Sequence, residues 1–242
     1  LKTLQEIRTF PPVWIPDSVQ WENFTNAWNA APFERFYLNS IVTSLLGSGF
    51  ELFFSITSAY ALAFLKFPRK NLVFILLLVA LMVPAQVTIL PNYVTMARID
   101  WVNTYQGIFL PGVPVAFGTF LLRQYFLGLP RDILDAARVD GATHFRLLWS
   151  VVVPVSIPAI VTFGLISLVA KWNEFLWPLV ITNTLQMRTL PIGITYLLDS
   201  EGNTQWGAVM AGTIFVILPI LVIFVFAQRY IVSGMTAGAT KG

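Results

Sequence analysis

The sequence predicts an all-α polytopic membrane protein, and three observations carry that prediction. The chain is 56% hydrophobic and only 11% charged, whereas a soluble domain holds about a quarter charged residues. Five apolar stretches, at 38–65, 72–90, 107–127, 158–181 and 206–226, stand out, and a helix needs about 20 such residues to cross a hydrocarbon core of about 30 Å. Within each stretch the apolar residues run continuously instead of alternating, which excludes the strands of a membrane barrel. No internal repeat interrupts this plan.

The elements follow in order. Residues 1–34 are polar and carry Trp14, Trp21 and Trp28 without a continuous apolar run, so they read as an extramembrane segment near the interface, where tryptophan is favoured. The first span, 38–65, holds Glu51 at its middle, and the second, 72–90, follows a short basic turn and contains Pro84. Pro111 and Pro114 interrupt the third, 107–127, whose Arg123 can reach an interface with its charged end. The fourth, 158–181, contains Lys171 and Glu174, and the last, 206–226, has Pro219 as a kink. Gly207 and Ala211, one helical turn apart, permit close helix packing.

The polar interruption at 129–158 has its own design. Pro130 and Asp132 give a helix start, with Asp132 able to cap it and Asp135 also near the positive end of its dipole. Gly141 stops that helix, and Thr143 caps a second one, which runs through Phe145, Leu148, Trp149 and Val152 until Pro154 and Pro158 bend or end it. Ala136 and Ala137 form a small-residue face that another protein can approach closely, and Asp135 can pair with Arg138 at three-residue spacing.

Charge orients the spans. Segments 66–71, 123–157 and 227–242 carry nine Lys or Arg residues, and segments 1–37, 91–106 and 182–205 carry five. Acids run the other way, three against seven. The positive-inside tendency therefore puts the glycine-cornered loop in the cytoplasm and Leu1 outside, and an outside start is expected to follow a helix upstream of Leu1. Several chemistries are excluded. There is no cysteine, so no thiol nucleophile or cysteine metal site, and His144 is the sole histidine. No Gly-Lys pair occurs, so a phosphate-cradling P-loop is absent and the chain is not expected to be an enzyme or to hydrolyse ATP itself.

Asp135-Ala136-Ala137, then Gly141, then Val151 and Val153-Pro154 at their spacing resemble the EAA loop of permease subunits in bacterial ATP-binding-cassette importers. Asp135 stands for the usual Glu, and Val151 and Val153 for the usual Ile and Leu, which preserves charge and apolarity. Ala59 to Ala63 (AYALA), Phe117 to Gln124 (FGTFLLRQ), Trp172 to Leu179 (WNEFLWPL) and Gln228 to Tyr230 (QRY) extend the resemblance over almost the whole chain. Together they are similar to the second permease of carbohydrate importers, the group containing the maltose and glycerol-3-phosphate permeases.

The resemblance implies a type I importer permease of six helices, here without its first, in the bacterial cytoplasmic membrane, with the EAA loop and C-terminus cytoplasmic. It implies that Asp135, Ala136, Ala137, Asp140, Gly141, Ala142, Phe145 and Pro154 couple to an ATPase subunit. Trp172, Asn173 and Glu174, with Glu51 and Lys171, would line the substrate path. Asp199, Glu201, Gly202 and Asn203 would reach a binding protein, and the tail at 233–242, otherwise a disordered terminus, would insert between ATPase subunits. The implied partners are a homologous second permease, two copies of an ATP-binding subunit holding ATP and Mg, and a periplasmic or lipid-anchored solute-binding protein; no cofactor on this chain and no nucleic acid are expected. The implied cargo is a sugar, oligosaccharide, polyol, glycerol phosphate or glycerophosphodiester, and Glu201 to Trp206 (EGNTQW) faintly resembles glycerol-3-phosphate permeases.

Each residue also has a plainer reading. A charge at membrane depth costs several kcal/mol unless it pairs or faces water, so Lys171 and Glu174 can be a local ion pair at three-residue spacing, and Glu51 can pair with a base on a neighbouring helix or partner subunit. Packing or a lipid-facing position is commoner for Trp172 than stacking on a sugar. His144 reads as a surface or docking contact. From another class of function, Glu51, Lys171 and Glu174 can instead form the relay of a proton-coupled secondary transporter.

Overall fold

The computed structural model describes residues 1–11, 14–113, 115–198 and 204–239, and every regular element among them is helical. The order is α1 (Leu4–Arg8), α2 (Glu22–Asn29), α3 (Phe33–Phe64), α4 (Lys70–Leu81), α5 (Ala85–Arg98), α6 (Tyr105–Phe109), α7 (Val115–Leu127), α8 (Arg131–Val139), α9 (His144–Leu147), a π turn (Leu148–Val152), α10 (Val153–Val155), α11 (Ile157–Trp172), α12 (Leu176–Ile181), α13 (Leu190–Gly193) and α14 (Trp206–Ala239). The helix of the last span runs on to Ala239, so residues 233–239, expected as a disordered tail, are helical.

Two helices, α3 and the Trp206–Val225 part of α14, are each long and apolar enough to cross a membrane. Two pairs meet the same measure together but are bent, α4 with α5 by 97° and His144–Val155 with α11 by 82°. The second, third and fourth expected spans are thus not straight helices. Proline placement explains the breaks, because proline lacks an N–H and disfavours the helical conformation in the residue before it. Pro84 falls between α4 and α5, and Pro111 falls between α6 and α7. Pro178 sits in the first turn of α12, where no intrahelical donor is needed; a helix continued from α11 would require its missing N–H.

The chain packs as two compact units. One comprises Leu1–Ser44, Tyr93–Ile108 and Trp172–Val225. Its core gathers Ala27, Phe33, Phe36, Trp172, Leu190, Leu197, Ala208, Val209, Ala211 and Val216. Trp28 packs edge-on to Phe215 with ring centroids 5.4 Å apart, so the amino-terminal segment supplies core as well as interface. Gly207 and Ala211 do provide close packing: Ala211 is buried, and a Cβ at Gly207 would lie 2.5 Å from Asn23 Oδ1. Asn39, fully buried on α3, donates to the carbonyls of Gln186 and Arg188 at 2.7 and 2.8 Å and accepts from Tyr105 at 2.8 Å. Leu190 N–H donates to Ser40 Oγ at 2.8 Å, which fastens the segment before α13 to α3.

The other unit comprises Leu45–Asn92, Phe109–Lys171 and the helix from Phe226 onward. Its core joins Ile56, Ala59 and Tyr60 of α3, Leu122 and Phe126 of α7, Leu134 of α8, Leu147, Leu148 and Val152, and Ala159, Ile160 and Phe163 of α11. Gly118 lets α7 meet α3 and α11, since a Cβ there would run into Phe163 and Ser55. Gly49, by contrast, opens on empty space. Gly118→Leu is therefore expected to lower stability by about 1–3 kcal/mol through overpacking, whereas Gly49→Leu leaves it unchanged. Thermal unfolding of the two purified variants checks this; equal midpoints would rule out the close approach at Gly118.

Candidate functional site

The polar loop at 129–158 folds as a two-helix corner. Helix α8 starts at Arg131 with Pro130 before it and no side-chain cap, so the cap expected from Asp132 is not made. Pro130 holds the position before the first turn with ψ of 127°, outside the helical range, and Asp132 keeps only its place near the positive end of the dipole. Gly141 has φ of +77°, a left-handed backbone that glycine adopts without strain. Its missing side chain faces open space, so the corner depends on backbone conformation and not on a crowded neighbour. Thr143 Oγ1 accepts from Arg146 N–H at 3.4 Å and starts α9 as expected. The π turn follows, with Val153 N–H reaching back to Leu148, and Pro154 and Ser156 end the helical run before the 82° bend.

One face of this corner is anchored and the other is bare. Leu134, Leu147, Leu148 and Val152 are buried in the core formed with α3, α7 and α11. His144 accepts or donates through Nδ1 to Tyr60 Oη at 3.0 Å, so the histidine read as a docking contact is engaged with α3. Asp135, Ala136, Asp140, Gly141, Phe145 and Pro154 are exposed, and Ala142 is half-buried. Asp135 and Arg138 pair at 2.7 Å, as their spacing suggested. Val139, which the sequence reading missed, is 88% exposed, and Phe145 is 74% exposed. An apolar residue at the last position of an otherwise polar-faced helix was the available signal. The bare face thus offers two apolar projections, an acidic group and small residues around a fixed turn.

The intramembrane charges form a second cluster. Glu51 on α3 is buried, and its carboxylate accepts from Ser167 Oγ at 2.6 Å and faces Lys171 Nζ at 3.0 Å. Ser167 and Lys171 lie one turn apart on α11, so both reach the same side of α3. Lys171 also donates to the carbonyl of Gly112, in the irregular stretch between α6 and α7. Gly47, one turn before Glu51, faces the lysine stem, whose Cδ would meet a Cβ there in ordinary van der Waals contact at 3.5 Å. The expected Lys171–Glu174 pair is not formed. Its place is taken by Glu51 because α11 ends at Trp172 and Glu174 lies in the break beyond it.

Glu174 accepts from Trp177 N–H at 3.4 Å and helps start α12, with its side chain and that of Asn173 exposed in the break. Trp172 is buried and donates to the carbonyl of Val216 at 2.9 Å, so its ring is committed to packing and is not open to a sugar face. Of the path candidates, the structure leaves Asn173 and Glu174 exposed and closes Glu51 with Lys171. Asp199, Glu201, Gly202 and Asn203 lie outside the described residues. Among the described residues no group of three His, Cys, Asp or Glu can hold a metal ion.

Apolar, proline-broken helices, with a two-helix corner packed on the core of one unit, define a membrane-embedded subunit. The chain belongs to the family of binding-protein-dependent transport system inner membrane components, which matches residues 51–237. It is 37% identical over 228 residues to the arabinooligosaccharides transport system permease protein AraQ of Bacillus subtilis, covering 94% of this chain and 81% of that protein. It is 36% identical over 238 residues to the sn-glycerol-3-phosphate transport system permease protein UgpE of Pectobacterium atrosepticum, covering 96% and 85%. Its fold matches a chain of a bacterial ABC transporter involved in the import of the acidic polysaccharide alginate, with a TM-score of 0.81 at 21% identity, over 95% of this chain and 86% of that one. This is an ABC importer permease, and the proton-coupled alternative finds no support.

Removing one partner of a buried ion pair leaves an uncompensated charge, at a cost of about 3–5 kcal/mol. Lys171→Met is expected to lose stability on that scale, and Lys171→Met combined with Glu51→Gln to recover part of it. Unfolding midpoints of the wild type, the single variant and the double variant provide the comparison; a single variant as stable as the wild type would show that the pair does not hold the structure.

Proposed function

We propose that this chain is one of two homologous permeases through which an ATP-driven importer moves a neutral sugar or oligosaccharide. The observation that carries this reading is the corner at α8, Gly141 and α9, anchored on its buried face and bare on the other. A partner ATPase subunit, present in two copies and holding ATP and Mg, grips Asp135, Ala136, Ala137, Asp140, Gly141, Ala142, Phe145 and Pro154. Because Leu134, Leu147 and Val152 join the corner to α3, α7 and α11, movement of the ATPase pair is transmitted to the spans as movement of a rigid body. Access then alternates between the two sides of the membrane. The corner and the C-terminus face the cytoplasm, and a periplasmic or lipid-anchored binding protein delivers the solute from outside, in line with the charge distribution.

Relatives include permeases named for arabinooligosaccharides and for sn-glycerol-3-phosphate. The charges favour the first class. Lys171 is neutralised by Glu51, while Glu174 is exposed and makes no ion pair among the described residues. An acid without a basic partner repels a phosphate, whereas Asn173 and Glu174 can both hydrogen-bond hydroxyl groups.

Two outcomes follow for the reconstituted complex. Gly141→Asp, which forces a side chain into the left-handed corner, is expected to leave membrane insertion intact and to abolish the ATP hydrolysis stimulated by liganded binding protein. Normal stimulation in that variant would refute the coupling role. Across a panel of arabinooligosaccharides, maltooligosaccharides, polyols, glycerol 3-phosphate and glycerophosphodiesters, ATPase stimulation is expected with a neutral carbohydrate. Stimulation by phosphorylated ligands alone would overturn the neutral assignment while leaving the importer reading in place.

A further inference from the structure

We propose that the recess between the C-terminal end of α3 and the α8–α9 corner binds the phosphate of an anionic phospholipid headgroup. A cavity of about 520 Å³ opens there, lined by Phe64, Leu65, Lys66, Phe67, Arg138 and His144. Phe64 is the last residue of the 32-residue apolar helix α3, so the cavity lies at the end of a membrane-spanning helix. No carboxylate is among its lining residues.

The basic groups nearby divide by what already engages them. Lys70 Nζ donates to the carbonyls of Ala63 and Leu65, both at 3.0 Å, and so closes the end of α3. Arg123 donates to the carbonyl of Leu62 at 3.1 Å, and its guanidinium lies 4.0 Å above the Phe74 ring. Lys66 is exposed and makes no hydrogen bond or ion pair among the described residues. Arg138 directs Nη1 at Asp135, which leaves further guanidinium donors for another anion. His144 engages Tyr60 through Nδ1 and keeps Nε2 available.

This set of groups suits one chemistry. A phosphodiester takes charge-assisted hydrogen bonds from an ammonium and a guanidinium, while glycerol and the first acyl carbons meet Phe64, Leu65 and Phe67. Because Arg138 and His144 belong to the corner, a lipid seated there bridges the end of α3 to the corner. The inference rests on this recess alone and stands or falls separately from the importer reading.

The test uses the full chain with the subunits that purify with it, in nanodiscs of phosphatidylcholine with increasing phosphatidylglycerol, and counts retained lipids by native mass spectrometry. Retained phosphatidylglycerol is expected for the wild type and Lys66→Arg, with about fivefold weaker retention for Lys66→Gln. Unchanged unfolding midpoints establish that the variants are folded. Equal retention by Lys66→Gln and the wild type would overturn the site. Displacement of the lipid by inorganic phosphate would assign it to a free anion instead, and retention only after the ATPase subunits are stripped away would show that protein covers it in the transporter. Either result also defeats the proposal.

Discussion

Lys171 closes a gap in the backbone that a membrane cannot close. Where α6 gives way to α7, the irregular stretch around Pro111 leaves carbonyls without helical partners, and hydrocarbon supplies no water to satisfy them. The lysine ammonium takes up the Gly112 carbonyl, Glu51 compensates its charge at 3.0 Å, and Ser167 supports the carboxylate at 2.6 Å. Three segments distant in sequence are held by one set of polar contacts. Their arrangement explains why charges sit at that depth without a relay to serve.

The same unit carries the polar corner. Helices as short as α9 and α10 are marginal by themselves, because nucleation is costly and few bonds follow it. Their stability comes from Leu147, Leu148 and Val152, which insert into a core made by membrane helices. A lever of this kind needs no intrinsic stiffness, since close packing transmits displacement. The exposed face is thereby freed for a partner, and the apolar exposure of Val139 and Phe145 is consistent with a surface completed by another protein.

In the other unit, the break after α11 divides neighbouring residues between different tasks. Trp172 is drawn into the core with Phe33 and Phe36, and its indole N–H finds the Val216 carbonyl. Asn173 and Glu174, immediately following, remain exposed because the helix has ended and Pro178 is placed to begin another. A polar pair at a helix break is a common way for a membrane protein to present hydrogen-bonding groups to a water-filled path.

The amino-acid sequence by itself determined the helical membrane class, the corner at Gly141, the Thr143 cap and the Asp135–Arg138 pair. All of these depend on composition or on residues within a turn or two of each other, where chain geometry leaves few choices. Proline and charge also marked the interrupted spans, although not the 97° bend between α4 and α5. Only the tertiary structure decided that Lys171 pairs with Glu51 instead of Glu174, that Trp172 is core, and that His144 bonds to Tyr60. Those outcomes turn on which helix faces which and where a helix stops. A partner 120 residues away leaves no trace in local spacing, and the low-dielectric interior rewards whichever opposite charge packing brings within reach.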